Sequence, residues 1–133
     1  MDPFMNSFYI NIDKIIGKEM RIQLMKDDKL VIQPLAYIRG ITASDQVYII
    51  DEAQNFNLEV FKSIITRIGE NCHFIFLGDN FQIDLRQKSE SVFDKMLNRF
   101  RDNIEGIKVI DFLPEDQARN PIITNILKIL EGF

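Results

Sequence analysis

Cysteine and histidine are each used once in this chain of 133 residues, as the adjacent pair Cys72 and His73. An intramolecular disulfide is therefore impossible, and a zinc site would have to be completed by carboxylates, which excludes thiolate-metal chemistry. No stretch approaches the roughly eighteen uninterrupted apolar residues of a membrane span. Nor does a charged start followed by an apolar run open the chain as in a signal peptide. The expectation is a cytoplasmic protein with no membrane partner. An excess of positive charge is also missing: 16 Lys and Arg face 20 Asp and Glu, for a net charge of -4 and a pI of about 5.0. Phosphate contacts depend on clustered cations that release counterions, so any nucleic-acid site must be local. Repeats, low-complexity tracts and Gly/Ser or Pro-rich linkers are absent too. With 46% hydrophobic residues, one globular domain is the simple reading.

The composition is skewed in a way that packing rules do not explain. Ile occurs 22 times and Asn 10 times, against 5 Val and 4 Ala, a bias expected of an AT-rich genome such as that of a low-GC bacterium or its phage. Met1-Asp2-Pro3-Phe4 precedes a second methionine, so residues 1–4 read as a vector-derived leader and Met5 as the native start. Residues 5–29 then form an N-terminal helical segment, and 30–133 an α/β domain.

Within 11–26, Ile12, Ile15, Ile16, Met20 and Leu24 fall near helical spacing, despite Gly17, and predict an amphipathic helix that ends at Lys26-Asp27-Asp28-Lys29. Leu30-Val31-Ile32 reads as a short strand stopped before Pro34. Val47-Tyr48-Ile49-Ile50 is a buried strand that runs into Asp51 and Glu52. Leu58, Phe61, Ile64, Ile65 and Ile68 predict a core-facing helix capped by Asn57 and stopped by Gly69. His73 to Leu77 is a second buried strand, closed by a tight turn at Gly78-Asp79. Ser91 with Asp94 forms a capping-box pattern ahead of a helix through Phe100. Ile107 to Phe112 predicts a third strand, and Asn120-Pro121 a cap and first turn for a last helix through Leu130. Strands that are apolar throughout, alternating with helices, imply a parallel sheet covered on both faces. In such a fold, the residues just beyond the strand C-terminal ends line the ligand crevice, and Asp51, Glu52, Asp79 and Gln82 all fall there.

An Asp-Glu pair at the end of a buried strand suits metal-assisted phosphoryl transfer, one carboxylate holding Mg²⁺ and the other orienting or deprotonating the attacking water. It equally suits a βα turn in which acids simply favour a helix N-terminus. Gly78-Asp79-Asn80-Phe81-Gln82 adds a carboxylate and an amide at the neighbouring strand end. From about Leu30 to Leu130 the combined pattern resembles the PhoH-like family of helicase-like P-loop NTPases. The resemblance is carried by Pro34-Leu35-Ala36-Tyr37-Ile38-Arg39-Gly40, Ile49-Ile50-Asp51-Glu52-Ala53-Gln54-Asn55, Thr66-Arg67-Ile68-Gly69, Gly78-Asp79-Asn80-Phe81-Gln82-Ile83-Asp84-Leu85 and Arg119-Asn120-Pro121. It implies a partial P-loop NTPase core of the RecA/helicase type, using ATP and Mg²⁺. It further implies that Asp51 and Glu52 are the Walker B pair, with Asp51 as the metal acid and Glu52 as the catalytic one. Gln82 with Asp79 becomes the sensor motif, and Arg119 the late arginine that neutralises transition-state charge. Arg39 and Arg67 match family arginines of unassigned role, for which a surface ion pair or a helix-terminus contact is the plain alternative.

Several positions depart from the pattern. Ile41 stands where a second arginine is usual, Arg86 replaces a proline, and Gln117-Ala118 precede Arg119 in place of a valine-rich pair, all of which weaken basic-loop binding. Above all, no G-x-x-x-x-G-K-[ST] occurs, since Gly17-Lys18-Glu19 lacks both the earlier glycine and the hydroxyl residue. In the family the P-loop lies upstream and its strand sits centrally in the sheet. Without that loop the chain is expected to be inactive alone and to bind no nucleotide by itself. The gap in the sheet would be closed by the last strand, by Phe8-Tyr9-Ile10, or by a protein partner or second copy.

Three functions follow. One is the catalytic half of an ATPase acting on RNA or other single-stranded nucleic acid. Another is a truncated, non-catalytic binding protein, phage-encoded, that acts on a host protein. The last is a plain α/β domain. Cys72 and His73 read as core packing, as do Phe81, Phe93, Phe100 and Phe112 rather than as base-stacking residues. Arg86, Lys88, Lys95, Arg99 and Arg101 form one locally basic segment, either a nucleic-acid face or a solvated helix.

Overall fold

The computed structural model describes residues 3–38, 40, 42–79, 91–101, 103–113, 116 and 121–130. Two helices open the chain, α1 (Pro3–Ile16) and α2 (Lys18–Lys26). The single helix expected over 11–26 is thus interrupted at Gly17, whose φ of 83° lies in the left-handed region that glycine enters without a Cβ penalty. Phe8-Tyr9-Ile10, one candidate to fill the sheet, is helical instead. Arg21 on α2 folds back on α1: its guanidinium grips the Asp13 carboxylate through two nitrogens, Nη2 at 3.2 Å, and lies 4.8 Å from the centroid of the Tyr9 ring.

The sheet among the described residues is a parallel pair, β1 (Val47–Ile50) and β2 (His73–Phe76), in register Val47↔His73 through Ile50↔Phe76. Between them runs α3 (Leu58–Ile65), the crossover that a parallel pair requires. Asn57 caps it as expected, its Oδ1 accepting the Val60 N–H at 3.0 Å. Gly69 ends the unit for a spatial reason: a Cβ there would lie 2.3 Å from the Ala43 carbonyl oxygen, where a parallel bridge joins Ala43 to Ile68. Beyond β2 come α4 (Phe93–Phe100) and α5 (Pro121–Leu130). The latter begins on the proline, as its fixed φ and missing N–H favour.

Alternation decides which side chains reach the core. Ile50 on β1 packs with Ala53, Phe56, Phe61, Ile64, Phe93, Met96 and Ile38, and Tyr48, Phe74 and Phe76 lean on the same cluster. Rings of Phe61 and Phe76 lie 5.1 Å apart, and those of Phe61 and Phe100 6.3 Å apart, so α3 and α4 cover one face together. Among the described residues nothing covers the other face. Val47 and Ile49 are 60% and 65% exposed, and Ile75 is 44%. This corrects the expectation of a sheet covered on both faces: apolar residues at every strand position call for a second layer, and the described residues supply only one.

Further expectations are corrected in the same way. Leu30-Val31-Ile32 and Ile107 to Phe112 form no ladder, because a strand is made by an edge to pair with and each run lacks one among the described residues. Phe112 is 82% exposed, not core, and its segment is held by the Asp111 carboxylate on Arg101, at 2.6 and 2.9 Å. His73 is exposed and Cys72 half-buried. Phe93 and Phe100 do pack in the core. No helix among the described residues is long and apolar enough to cross a membrane.

Two outcomes follow from this packing. Ile64 is fully buried, so Ile64→Ala should lower unfolding free energy by about 2–5 kcal/mol in urea titration. The hydrogen bonds from Arg21 hold the Asp13 carboxyl below its ordinary range. A depressed carboxylate pKa stabilises the fold above the unfolded value and loses that contribution as pH falls through the folded one. Acid titration followed by NMR should therefore show the α1–α2 elbow loosening only at pH below the usual aspartate midpoint, and Arg21→Gln should move that midpoint upward.

Candidate phosphoryl-transfer site

The chain leaves β1 directly into Asp51 and Glu52, both exposed. Glu52 adopts φ 58° and ψ 32°, a left-handed conformation that costs a non-glycine residue about 1–3 kcal/mol. Two interactions hold it there. Its N–H donates to Asp51 Oδ1 at 2.9 Å, and its Oε2 accepts from Gln54 Nε2 at 2.7 Å. A short 3₁₀ turn, Ala53–Asn55, follows.

The two strand ends stay joined beyond the ladder. Leu77 N–H donates to the Ile50 carbonyl at 2.8 Å, and Ala53 N–H donates to the Leu77 carbonyl at 2.9 Å. This brings Asp79 beside the turn that carries the acids, its N–H donating to Gln54 Oε1 at 3.1 Å. Gly78 occupies the tightest point: a Cβ there would sit 2.7 Å from Phe93 Cε1 and 3.0 Å from the Gln54 nitrogen. The glycine is required by this close approach of α4. Ser91 contributes as well, but not as the capping box its spacing suggests. α4 is capped at Val92 without a side-chain bond, and the Ser91 hydroxyl donates instead to the Gln54 carbonyl at 2.7 Å.

Asp51, Glu52 and Asp79 thus share one corner at the C-terminal end of the parallel pair. Arg67 does not join them. It follows α3, which returns the chain to the other end of the strands, where its carbonyl accepts from Ala43 N–H at 2.8 Å and its Nε lies 3.4 Å from the Ser63 carbonyl. That is a helix-terminus contact. Arg39, Gln82 and Arg119 lie outside the described residues, as do Phe81, Arg86 and Lys88.

Among the described residues no three His, Cys, Asp or Glu side chains converge on a metal site. The donors nonetheless suit Mg²⁺, which takes one or two carboxylates and completes its shell with water and substrate phosphates. Asp51 offers a hard oxygen ligand of that kind. Sequence reasoning gave Gln54 no role of its own and assigned Ser91 to a helix cap. No spacing marks Gln54, and an amide between Ala53 and Asn55 becomes conspicuous only once it is buried.

The PhoH-like protein family model matches residues 1–131. The chain belongs to the PhoH-like family. It is 34% identical over 131 residues to the PhoH-like protein of Bacillus subtilis (strain 168), covering 96% of this chain and 40% of that protein. With Protein PhoH of Escherichia coli (strain K12) it shares 37% identity over 127 residues, 94% of this chain and 36% of the relative. The PhoH-like protein of a Synechocystis strain is 31% identical over 131 residues, 98% and 40%. The chain therefore spans well under half the length of these curated relatives. Family membership relates the domain to P-loop NTPases, in agreement with the resemblance carried by the five sequence blocks.

Because Gly78 has no room for a methyl group, Gly78→Ala should cost about 1–3 kcal/mol in urea titration, the usual range for overpacking.

Proposed function

We propose that this chain supplies the acidic and sensor half of an ATP-hydrolysing site, and that hydrolysis requires a P-loop-bearing polypeptide to complete it. The observation that carries this reading is that Asp51, Glu52 and the Asp79 backbone are tied together at the C-terminal end of a parallel β pair, with all three residues exposed. Asp51 takes the metal-binding role, and Mg²⁺ held there would neutralise charge on the phosphates. Glu52 orients or deprotonates the attacking water. Gln82, with Asp79, senses the terminal phosphate, and Arg119 stabilises the charge that develops on it. Arg39 and Arg67 are assigned to nucleotide binding only by family resemblance, and for Arg67 the helix-terminus contact is the competing role. RNA or other single-stranded nucleic acid is the proposed substrate on which the completed ATPase acts, in the cytoplasm.

No phosphate-binding loop is present in these 133 residues, and the bare face of the sheet presents Val47, Ile49 and Ile75. A P-loop-bearing segment is the occupant that suits both facts, since it would bring apolar cover together with the missing backbone N–H donors. The chain's coverage of only 36–40% of its relatives accords with such a segment. The same bare face favours a second reading, in which a non-catalytic, phage-encoded chain docks on a host ATPase that carries the P-loop, without completing turnover.

Isothermal titration with Mg²⁺ and a non-hydrolysable ATP analogue should give no binding to the chain alone. Binding that disappears in Asp51→Ala/Glu52→Ala would overturn this. Adding the P-loop-bearing portion of the Bacillus relative should produce ATP turnover that Glu52→Gln abolishes. Complex formation without turnover would favour the second reading.

A further inference from the structure

Gln54 is the most deeply buried polar residue described, with 2% of its surface exposed. An amide in that position is tolerated only when its polar atoms are paired. Here each end is engaged by a different piece of the site: Nε2 donates to Glu52 Oε2 at 2.7 Å, and Oε1 accepts the Asp79 N–H at 3.1 Å. The partners themselves fix which end is which. Reversing the amide would set its oxygen against a carboxylate and its NH₂ against an N–H, both repulsive. The Gln54 carbonyl also receives the Ser91 hydroxyl at 2.7 Å, which ties the same residue to the start of α4. The Ser91 bond goes to the backbone and survives any substitution, whereas an apolar side chain of similar volume would fill the space without either side-chain bond, so filling space does not account for an amide here.

We propose that Gln54 is a positioning residue that locks the Glu52 carboxylate and the Asp79 backbone into one unit. The catalytic significance of this rests on the reading of Glu52 as the acid that handles the attacking water. By holding Oε2, the amide restricts how the carboxylate can turn and sets where its other oxygen lies. By accepting from Asp79, it ties that orientation to the backbone at the second strand end. A signal at the second strand end thus reaches the acid at the first through a single buried side chain.

Gln54→Glu and Gln54→Met separate the two arms. An ionised glutamate can still accept from the Asp79 N–H but repels Glu52 instead of donating to it, whereas methionine neither accepts nor donates. NMR of the chain alone should show the Glu52 carboxyl carbon resonance displaced in both variants. Hydrogen exchange of the Asp79 amide should speed up about tenfold or more in Gln54→Met, since one opening interaction is removed, and stay near the native rate in Gln54→Glu. The amides of Ala53 and Leu77, which bond to backbone carbonyls, should keep their native rates in both. In the site completed by a P-loop-bearing partner, both variants should lower kcat by about 10–100-fold, as loss of an outer-shell partner does, with KM unchanged.

A folded Gln54→Met protein with native Glu52 resonance and native Asp79 exchange would overturn the proposal. So would loss of protection at Ala53 and Leu77 together with Asp79 in both variants, which would make Gln54 a packing residue. Absence of turnover in the completed wild-type site would instead sink the ATPase reading, while the NMR result would still decide whether Gln54 couples the two strand ends.

Discussion

The parallel pairing of Val47–Ile50 with His73–Phe76 is the constraint on which the rest of the structure depends. Parallel strands point their C-terminal ends the same way, so the residues that follow each are delivered to one corner. The register continues past the ladder through the bonds of Leu77 to Ile50 and of Ala53 to Leu77. Had the strands been antiparallel, Asp51 and Asp79 would stand at opposite ends. The crossover helix α3 enforces the parallel arrangement, and Phe61 and Ile64 anchor it by burial against the sheet.

From that corner inward, polar and apolar order reinforce each other. Phe93 of α4 presses on Gly78, and Ser91, at the entrance to the same helix, bonds to Gln54. Gln54 in turn bonds to Glu52 and Asp79. The acids are exposed, but the groups that orient them lie in the core. Such an arrangement sets an exposed carboxylate on rigid support while leaving it open to water.

The opposite face of the sheet behaves differently. Its Val47, Ile49 and Ile75 have the composition of core residues and the exposure of surface ones. Among the described residues nothing packs over them, which is the observation behind the proposal that a further segment covers this face.

Much of this was legible in the sequence. Both strands, the Asn57 cap, the core helix at Phe61 and Ile64, and the acids at the strand end follow from local pattern, because burial periodicity and capping are written in neighbouring residues. Family membership was legible as well, from five short blocks in order. The break at Gly17 was visible as a residue, though its φ was not. What the sequence could not determine depends on partners distant in the chain. Leu30-Val31-Ile32 and Ile107 to Phe112 have the composition of strands, but pairing needs an edge that no local pattern encodes. Ser91 and Asp94 have the spacing of a capping box, yet the hydroxyl serves Gln54, 37 residues away. The apolar strands indicate burial on both faces, and only the tertiary structure shows that the described residues cover one of them. Gln54 is the clearest case: as one letter between acids and asparagine it has no periodicity to reveal it, and its role exists only because the fold brings Glu52, Asp79 and Ser91 to it.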